Sequence, residues 1–416
     1  MLPVSDDAPL LQDLMPWSVR PMRVGRGWPM APEPACLRAR WALFTAETDP
    51  GARASLLHPT RARGLHTPVT QLPGHRTPTR ALAVEDGPCP EPVRIQHGPY
   101  DQQWLIPDHR LIDAARPELW RVADGRQVFA IEQPPLPGAA EAPLAFSSLL
   151  PDGRSPAGRA TLIRPLYRRP AGRDPNLAPG LTDWLADRVG ADVTPDALLA
   201  WVAAAARPDS RGCAVPLPRS AELWREGVEL GRRSLWLHTR GTRCVDPLAE
   251  RPSGPIRPPG GSRPYVRAAL PEAPEADGLG YDARERVLRI GSGLLSPVPE
   301  AAWELTAGGV RVLEAWYARR TAVGAPGSLE ARRPPAWTRA TTSELLELIG
   351  VLTLLAELRG EVRDFAGRLA AADGAGAVGA AALRRAGVLP VPVGRRRPAL
   401  VLEHREEGPD GQFALL

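Results

Sequence analysis

Proline and glycine interrupt this chain so often that few stretches can hold a long element: 49 prolines and 39 glycines are spread through 416 residues. Proline removes a backbone donor and fixes φ, while glycine loses the most freedom on ordering, so neither suits the interior of a helix or a central strand. The runs between them set the expected fold. From Pro92 onward VRIQH, QQWLIP, ELWRV, RQVFAIEQ, APLAFSSLL and RATLIRPLY are each bounded by Pro, Gly or Asp. Their spacing of about ten residues predicts compact, mostly antiparallel sheets packed with helices, an α+β fold with Pro/Gly-rich loops.

Helices are expected where caps and periodicity agree. Upstream, WSVRPMRVGRGWPM alternates like short extended segments and PEPACLRARWALFTAE reads as an amphipathic helix. HPTRARGLHTPVTQLPGHRTPTR, poor in apolar residues, reads as an exposed loop. Thr194, Pro195 and Asp196 make an N-terminal cap and first turn for TPDALLAWVAAAAR, and Ser220 caps AELWREGVELGRRSLWLH. RERVLRIGSGLLSPVP reads as a hairpin, followed by GGVRVLEAWYARR with Val310, Leu313, Trp316 and Tyr317 at helical spacing. Thr341 and Glu344 form a capping-box pattern ahead of a leucine stripe from Leu345 to Leu358. Five segments follow from these shifts. They are a mixed part at 1–80, a β-rich then helical part at 81–250, and a Pro/Gly-rich linker or loop at 251–264. A hairpin plus helices at 265–372 and a tail at 373–416 complete the helical C-terminal part.

The formal charge is +5, and every one of the 52 basic side chains is arginine. A coding bias toward Arg, Ala, Gly and Pro accounts for most of that, yet the guanidinium fork also fits phosphates and guanine edges. Cys36, Cys89, Cys213 and Cys244 stand alone, with no C-x-x-C pair, so neither a metal site nor a disulfide framework is expected. The N-terminal MLPVSDDAPLLQDLMPW carries acids where a secretion signal needs positive charge. No run reaches the roughly 18 apolar residues that a membrane helix needs. A cytoplasmic protein without a membrane partner is expected.

Chemistry is harder to place. G-x-x-x-x-G-K-[ST] does not occur and cannot in a chain without lysine, and no G-x-S-x-G elbow is present. DPNL, from Asp174 to Leu177, lacks the second proline and the aromatic ring of an amino-methyltransferase tetrad. No cofactor and no catalytic residue is therefore assigned. His109, between Asp108 and Arg110, reads as a turn histidine bonded to its neighbours ahead of a general base. What remains is arginine interleaved with aromatics in RIQHGPYDQQW, PDHRLIDAARPELWR, RPLYRRPAGR and AWYARR. Such runs can clamp phosphates and stack on bases, or be core aromatics with a solvated rim. Trp104 and Trp120 are expected to anchor two strands.

Two blocks then carry a family resemblance. HGPYDQQWLIPDHRLIDAARPELWRV, continued by RQVFAIEQ, resembles the C-terminal specificity region of type ISP restriction-modification enzymes, which are single-polypeptide, ATP-dependent, adenine-methylating and DNA-translocating. The family's Pro-aromatic-Asp step is met by Pro99, Tyr100 and Asp101, ahead of Trp104, and its Arg-Pro by Arg116 and Pro117. VPEAAWELTAGGVRVLEAWYARR is similar to a second family block, met by Val298, Trp303, Gly308, Gly309, Val312, Leu313, Trp316 and Arg320. Gln103 and Ile106-Pro107 depart from the family's arginine and paired tyrosines. The resemblance implies a stand-alone target recognition domain of a phage-defence system that holds double-stranded DNA. A separately encoded methyltransferase or helicase–nuclease partner would supply the chemistry, as for a methyltransferase component that needs a catalytic partner. On that reading Arg110, Arg116, Arg121, Arg164, Arg168 and Arg169 meet phosphates, and Gln102, Gln103 and His109 meet base edges. The alternative is an interaction scaffold that kept the fold and lost DNA.

Overall fold

The computed structural model of the chain describes residues 7–134, 144–155, 158–242, 256, 263–334, 336–372 and 378–399. Among these no strand exceeds four residues, as the density of prolines and glycines requires. The strands pair antiparallel in several small sheets, and helices pack between them, so the α+β expectation holds.

Gln102–Leu105 is the central strand of a three-stranded sheet, between Met30–Ala31 and Val93–Gln96. Phe129–Glu132 is central to a second, between Leu144–Ser147 and Leu162–Pro165. Ile95, Leu105, Phe129, Ile131 and Ile163 bury one shared core with Trp17 and Trp120. A separate core lies beneath the helix Pro34–Ala46, where Trp28, Trp41 and Phe44 meet Ile106 and Leu111. The expected hairpin is part of a four-stranded sheet ordered Tyr265–Ala268, Gly293–Ser296, Val287–Ile290, Leu279–Asp282.

Four helices form the largest body: Leu181–Val189, Pro195–Ala205, Ala221–His238 and the long Arg339–Ala372. The caps read from sequence are present, since Thr194 Oγ1 accepts from Ala197 N at 3.1 Å and Ser220 Oγ from Leu223 N at 3.2 Å. Trp201 stacks on Trp224 at 5.5 Å and meets Phe365 edge-on at 5.8 Å. Gly231 makes this approach possible. A β-carbon there would fall 1.7 Å from the Ala200 carbonyl oxygen, so only glycine lets the two helices come this near. Apolar contacts run across the segment limits at 80 and 264: one core joins Leu11 and Leu14 with Leu198, Leu352 and Leu389.

Three expectations need correction. ELWRV is a helix, Pro117–Val122, and Trp120 therefore anchors a helix, with its indole N–H donating to Ala115 O at 2.8 Å. Arg116 at φ 60° turns the chain sharply and Pro117 sits in the first turn, where a missing N–H costs nothing. Trp104 is only half-buried, with the Arg94 guanidinium 5.7 Å from its ring centre. Thr341 and Glu344 make no capping box. The helix begins at Arg339, Thr338 Oγ1 accepts from Thr341 N at 3.1 Å, and Glu344 is engaged elsewhere. Most of 251–264, half of the tail at 373–416, and Cys244 lie outside the described residues.

Candidate nucleic-acid interface

The motif residues that prompted the family resemblance converge, and they converge inward. Tyr100 sits at φ 58°, an uncommon conformation for a bulky residue, and its carbonyl accepts from Arg240 Nη2 at 2.7 Å. Asp101, 1% exposed, accepts from Arg319 Nε at 2.5 Å and Arg320 Nη1 at 2.8 Å. Arg320 also donates to Glu344 at 2.9 Å and lies 3.8 Å over the Trp316 ring. Burial pushes the Asp101 carboxyl up, but Arg320 and Arg319 outweigh it and hold it at about 2. Pro99 and Leu313 are buried beside these groups. Gly308 and Gly309, at φ 60° and 79°, form the two-residue turn between Thr306–Ala307 and Val310–Arg311, a hairpin turn that needs positive φ at both positions. Trp303 stacks on Tyr281 at 5.0 Å, with Arg311 on its ring. The motif is thus an ionic clamp that ties the first sheet to the helices Val312–Thr321 and Arg339–Ala372.

Most of the arginines named for phosphates are spent inside the fold. Arg110 is 1% exposed, chelates Asp108 through Nε and Nη2, and donates to Glu85 at 2.6 Å. Burial pushes Glu85 up, but Arg80 and Arg110 bring it down to about 2. Arg164 is buried on Glu132 and on Met15 O. Arg168 binds Asp174 at 2.7 Å and Arg397 O at 2.9 Å, and Arg169 lies 3.9 Å from the same carboxylate. Gln103 is buried with its amide donating to Asp101. These five side chains correct the sequence expectation, because a guanidinium or amide buried in the fold beside its internal partners is not presented to a phosphate or base. Gln102, Arg116 and Arg121 are half-buried; Arg116 Nε reaches Pro21 O at 3.5 Å.

His109 was expected to read bases and instead fastens a loop. Its Nδ1 donates to Thr70 O at 2.8 Å and its Nε2 accepts from Arg63 Nη2 at 2.9 Å. One nitrogen must carry the proton and the other must not, which fixes the neutral tautomer. Burial lowers its pKa accordingly, only partly offset by the Thr70 bond. The loop it holds, residues 58–80, contains no helix or strand, as its sequence predicted. It rests on Thr60 Oγ1 to Asp113 at 2.7 Å, Arg63 Nε to His109 O at 3.1 Å, and His75 edge-on to Trp120 at 5.0 Å. Sequence reasoning gave this loop no role. The missed signal is charge: residues 50–84 contain no Asp or Glu, the longest such run in the chain.

A small-sheet α+β scaffold, braced by a buried ionic clamp and showing arginine and histidine on an ordered loop, is the kind of protein that carries a recognition surface. Its family follows from comparison. The chain matches the type ISP C-terminal specificity domain over residues 13–348 and belongs to that family. Among solved structures it is similar to DrdV in a cryo-electron microscopy complex with DNA, at 14% identity, TM-score 0.56, covering 83% of this chain and 35% of that one. It is likewise similar to a nuclease-deletion mutant of the type ISP restriction-modification enzyme LlaGI in complex with a DNA substrate mimic, at 12% identity and TM-score 0.53, covering 84% and 28%. The ATP-dependent type ISP restriction-modification enzyme LlaBIII bound to DNA matches at 11% identity and TM-score 0.55, covering 86% and 23%. The chain therefore spans about a third of these chains or less. No curated protein matches it in sequence. No helix among the described residues is long and apolar enough to cross a membrane.

Proposed function

We propose that this chain is a DNA target-recognition component of a type ISP-like restriction-modification or defence system. It grips duplex DNA and reads a short asymmetric site in the major groove. Bond-making falls to a separately encoded methyltransferase or helicase–nuclease. The observation that carries this reading is the family match across 13–348, which includes the first sheet, the residues of the clamp and the first turns of the helix Arg339–Ala372. The DNA complexes among its structural neighbours add support. Of the residues expected to touch DNA, Gln102, Arg116 and Arg121 remain at least partly accessible and are the ones this reading retains.

Selection from a randomised duplex pool tests it: the purified chain should enrich one asymmetric sequence. A mismatch at a contacted base pair should then cost about 1 to 3 kcal/mol at that position alone. Recovery of an unenriched pool overturns the reading. It would favour the interaction scaffold, for which the internal spending of Arg110, Arg164, Arg168 and Arg169 speaks.

A further inference from the structure

We infer that the carboxylate-free loop at residues 58–80 is the element that docks on the DNA backbone, with Arg61 and Arg76 as its phosphate contacts. This rests on the DNA-recognition reading and adds to it a surface that the family motifs do not contain.

Three observations meet here. The first is charge. Residues 50–84 hold five arginines and three histidines but no Asp or Glu, in a chain with 47 carboxylates in 416 residues. The nearby acids from other segments are already engaged. Asp113 has its side chain 6% exposed and binds Thr60 and Arg26, Glu85 and Asp86 hold Arg80, and Glu330 lies 3.8 Å from His58. Arg53, Arg63 and Arg80 are spent in holding the segment together. Arg61, His66 and Arg76 are exposed, and Arg61 has no partner among the described residues.

The second is order without regular structure. Leu57, Leu72, Thr77 and Leu82 are buried beneath the loop. Ala83 N donates to Leu65 O at 3.1 Å, Gln71 Nε2 to Thr77 O at 3.2 Å, and His109 fastens Thr70 and Arg63 from below. Pro59, Pro68, Pro73 and Pro78 fix φ at four further points. A loop already held in one conformation pays little ordering entropy on binding, which is what a recognition loop needs.

The third is chemistry. Apart from Pro59, Pro68, Gly74 and Pro78, every exposed position of the loop carries a donor, among them Arg61, His66, Thr70, Gln71, Arg76 and Thr79, and none is a large apolar side chain. Exposed guanidinium, imidazole, hydroxyl and amide groups on a loop that carries no carboxylate of its own suit a polyanion. Duplex DNA places one negative charge per ~1.7 Å of axis, so several such donors can be met at once.

The test uses the full chain and a labelled mixed-sequence duplex, with anisotropy titrations at low and moderate salt. Arg61→Ala should lower the slope of log affinity against log salt by about one unit, and adding Arg76→Ala by about one more. Thr79→Glu, which removes no guanidinium but installs a carboxylate, should weaken binding about tenfold or more at low salt. Arg232→Ala with Arg363→Ala, exposed on the helical body, should change neither affinity nor slope. All variants should melt with the wild type, as these side chains are exposed. Wild-type binding that survives both loop variants with its slope intact overturns this inference and leaves DNA recognition standing. Failure of the wild-type chain to bind duplex at any salt overturns both.

Discussion

Replacing Asp101 by asparagine keeps the shape of the side chain and deletes the negative charge at the centre of the ionic clamp. The carboxyl is held at about 2 although burial opposes its ionisation. Each unit of depression is worth about 1.4 kcal/mol, so the folded protein favours the ionised form by roughly 2 to 3 kcal/mol. Deleting the charge also leaves Arg320, whose side chain is 2% exposed, with Glu344 as its one remaining carboxylate among the described residues. Breaking a buried pair in this way costs about 3 to 5 kcal/mol. Urea unfolding followed by tryptophan fluorescence near pH 7 should therefore show a loss of about 3 to 5 kcal/mol. The sign of the pH dependence follows from the depressed value: the contribution is complete above the ordinary carboxylate range near 4 and fades as pH falls through about 2. The gap between wild type and Asp101→Asn should be constant from about pH 5 to 8 and narrow in strong acid. Arg320→Met should cost less in the Asp101→Asn background than alone, because the two share one interaction. A loss below about 1 kcal/mol, or strict additivity of the pair, would refute the clamp as a source of stability.

Other outcomes follow from single sites. Gly231→Ala should cost about 3 kcal/mol or more in the same assay, since its β-carbon meets the Ala200 carbonyl backbone, which cannot swing aside; a neutral effect would mean that the helix pair separates freely. Thr338→Ala should lose about 1 kcal/mol and Thr341→Ala less, because Thr338 is the residue that accepts the helix N–H. Burial pushes the Cys213 and Cys89 thiols up to about 12, so residue-resolved mass spectrometry should find both almost unlabelled by iodoacetamide near pH 8 in native protein and fully labelled in urea. Burial, with Arg359 nearby, lowers His238 to about 4; its ring should show no titration by NMR between about pH 5.5 and 8, and its share of stability should be lost as pH falls from about 6.5 toward 4.

Local rules were legible in the sequence, and long-range partners were not. Thr194 and Ser220 cap the helices that they precede because a cap involves residues three positions apart, all visible in one glance. ELWRV has a strand-like pattern, but Pro117 and the left-handed turn at Arg116 start a helix instead, and six residues are too few for periodicity to decide. Glu344 has the spacing of a capping box yet answers to Arg320, far away in sequence. The same cause moved Arg110, Arg164 and Arg168 from an expected DNA face into the interior. Glu85 and Glu132 reach Arg110 and Arg164 from far along the chain, and Asp108 and Asp174, though near in sequence to Arg110 and Arg168, are turned toward them only by the folded loops. An arginine's neighbours in sequence do not reveal whether a carboxylate awaits it in space. The family motifs were readable as motifs. That they form a clamp became visible only once Tyr100, Asp101, Arg240, Arg320 and Glu344 were brought together.

That clamp also limits how recognition of this kind can be transplanted. Its members come from both sides of the Pro/Gly-rich stretch at 251–264, so the halves of the chain are matched like two parts of one lock. A chimera that takes the first half from one relative and the second from another inherits a stable join only if the acids and guanidinium groups of the clamp travel as a set. Target sequence can then be re-engineered on exposed loops at little structural risk, whereas exchange of whole halves calls for compensating changes at 101, 240, 319, 320 and 344.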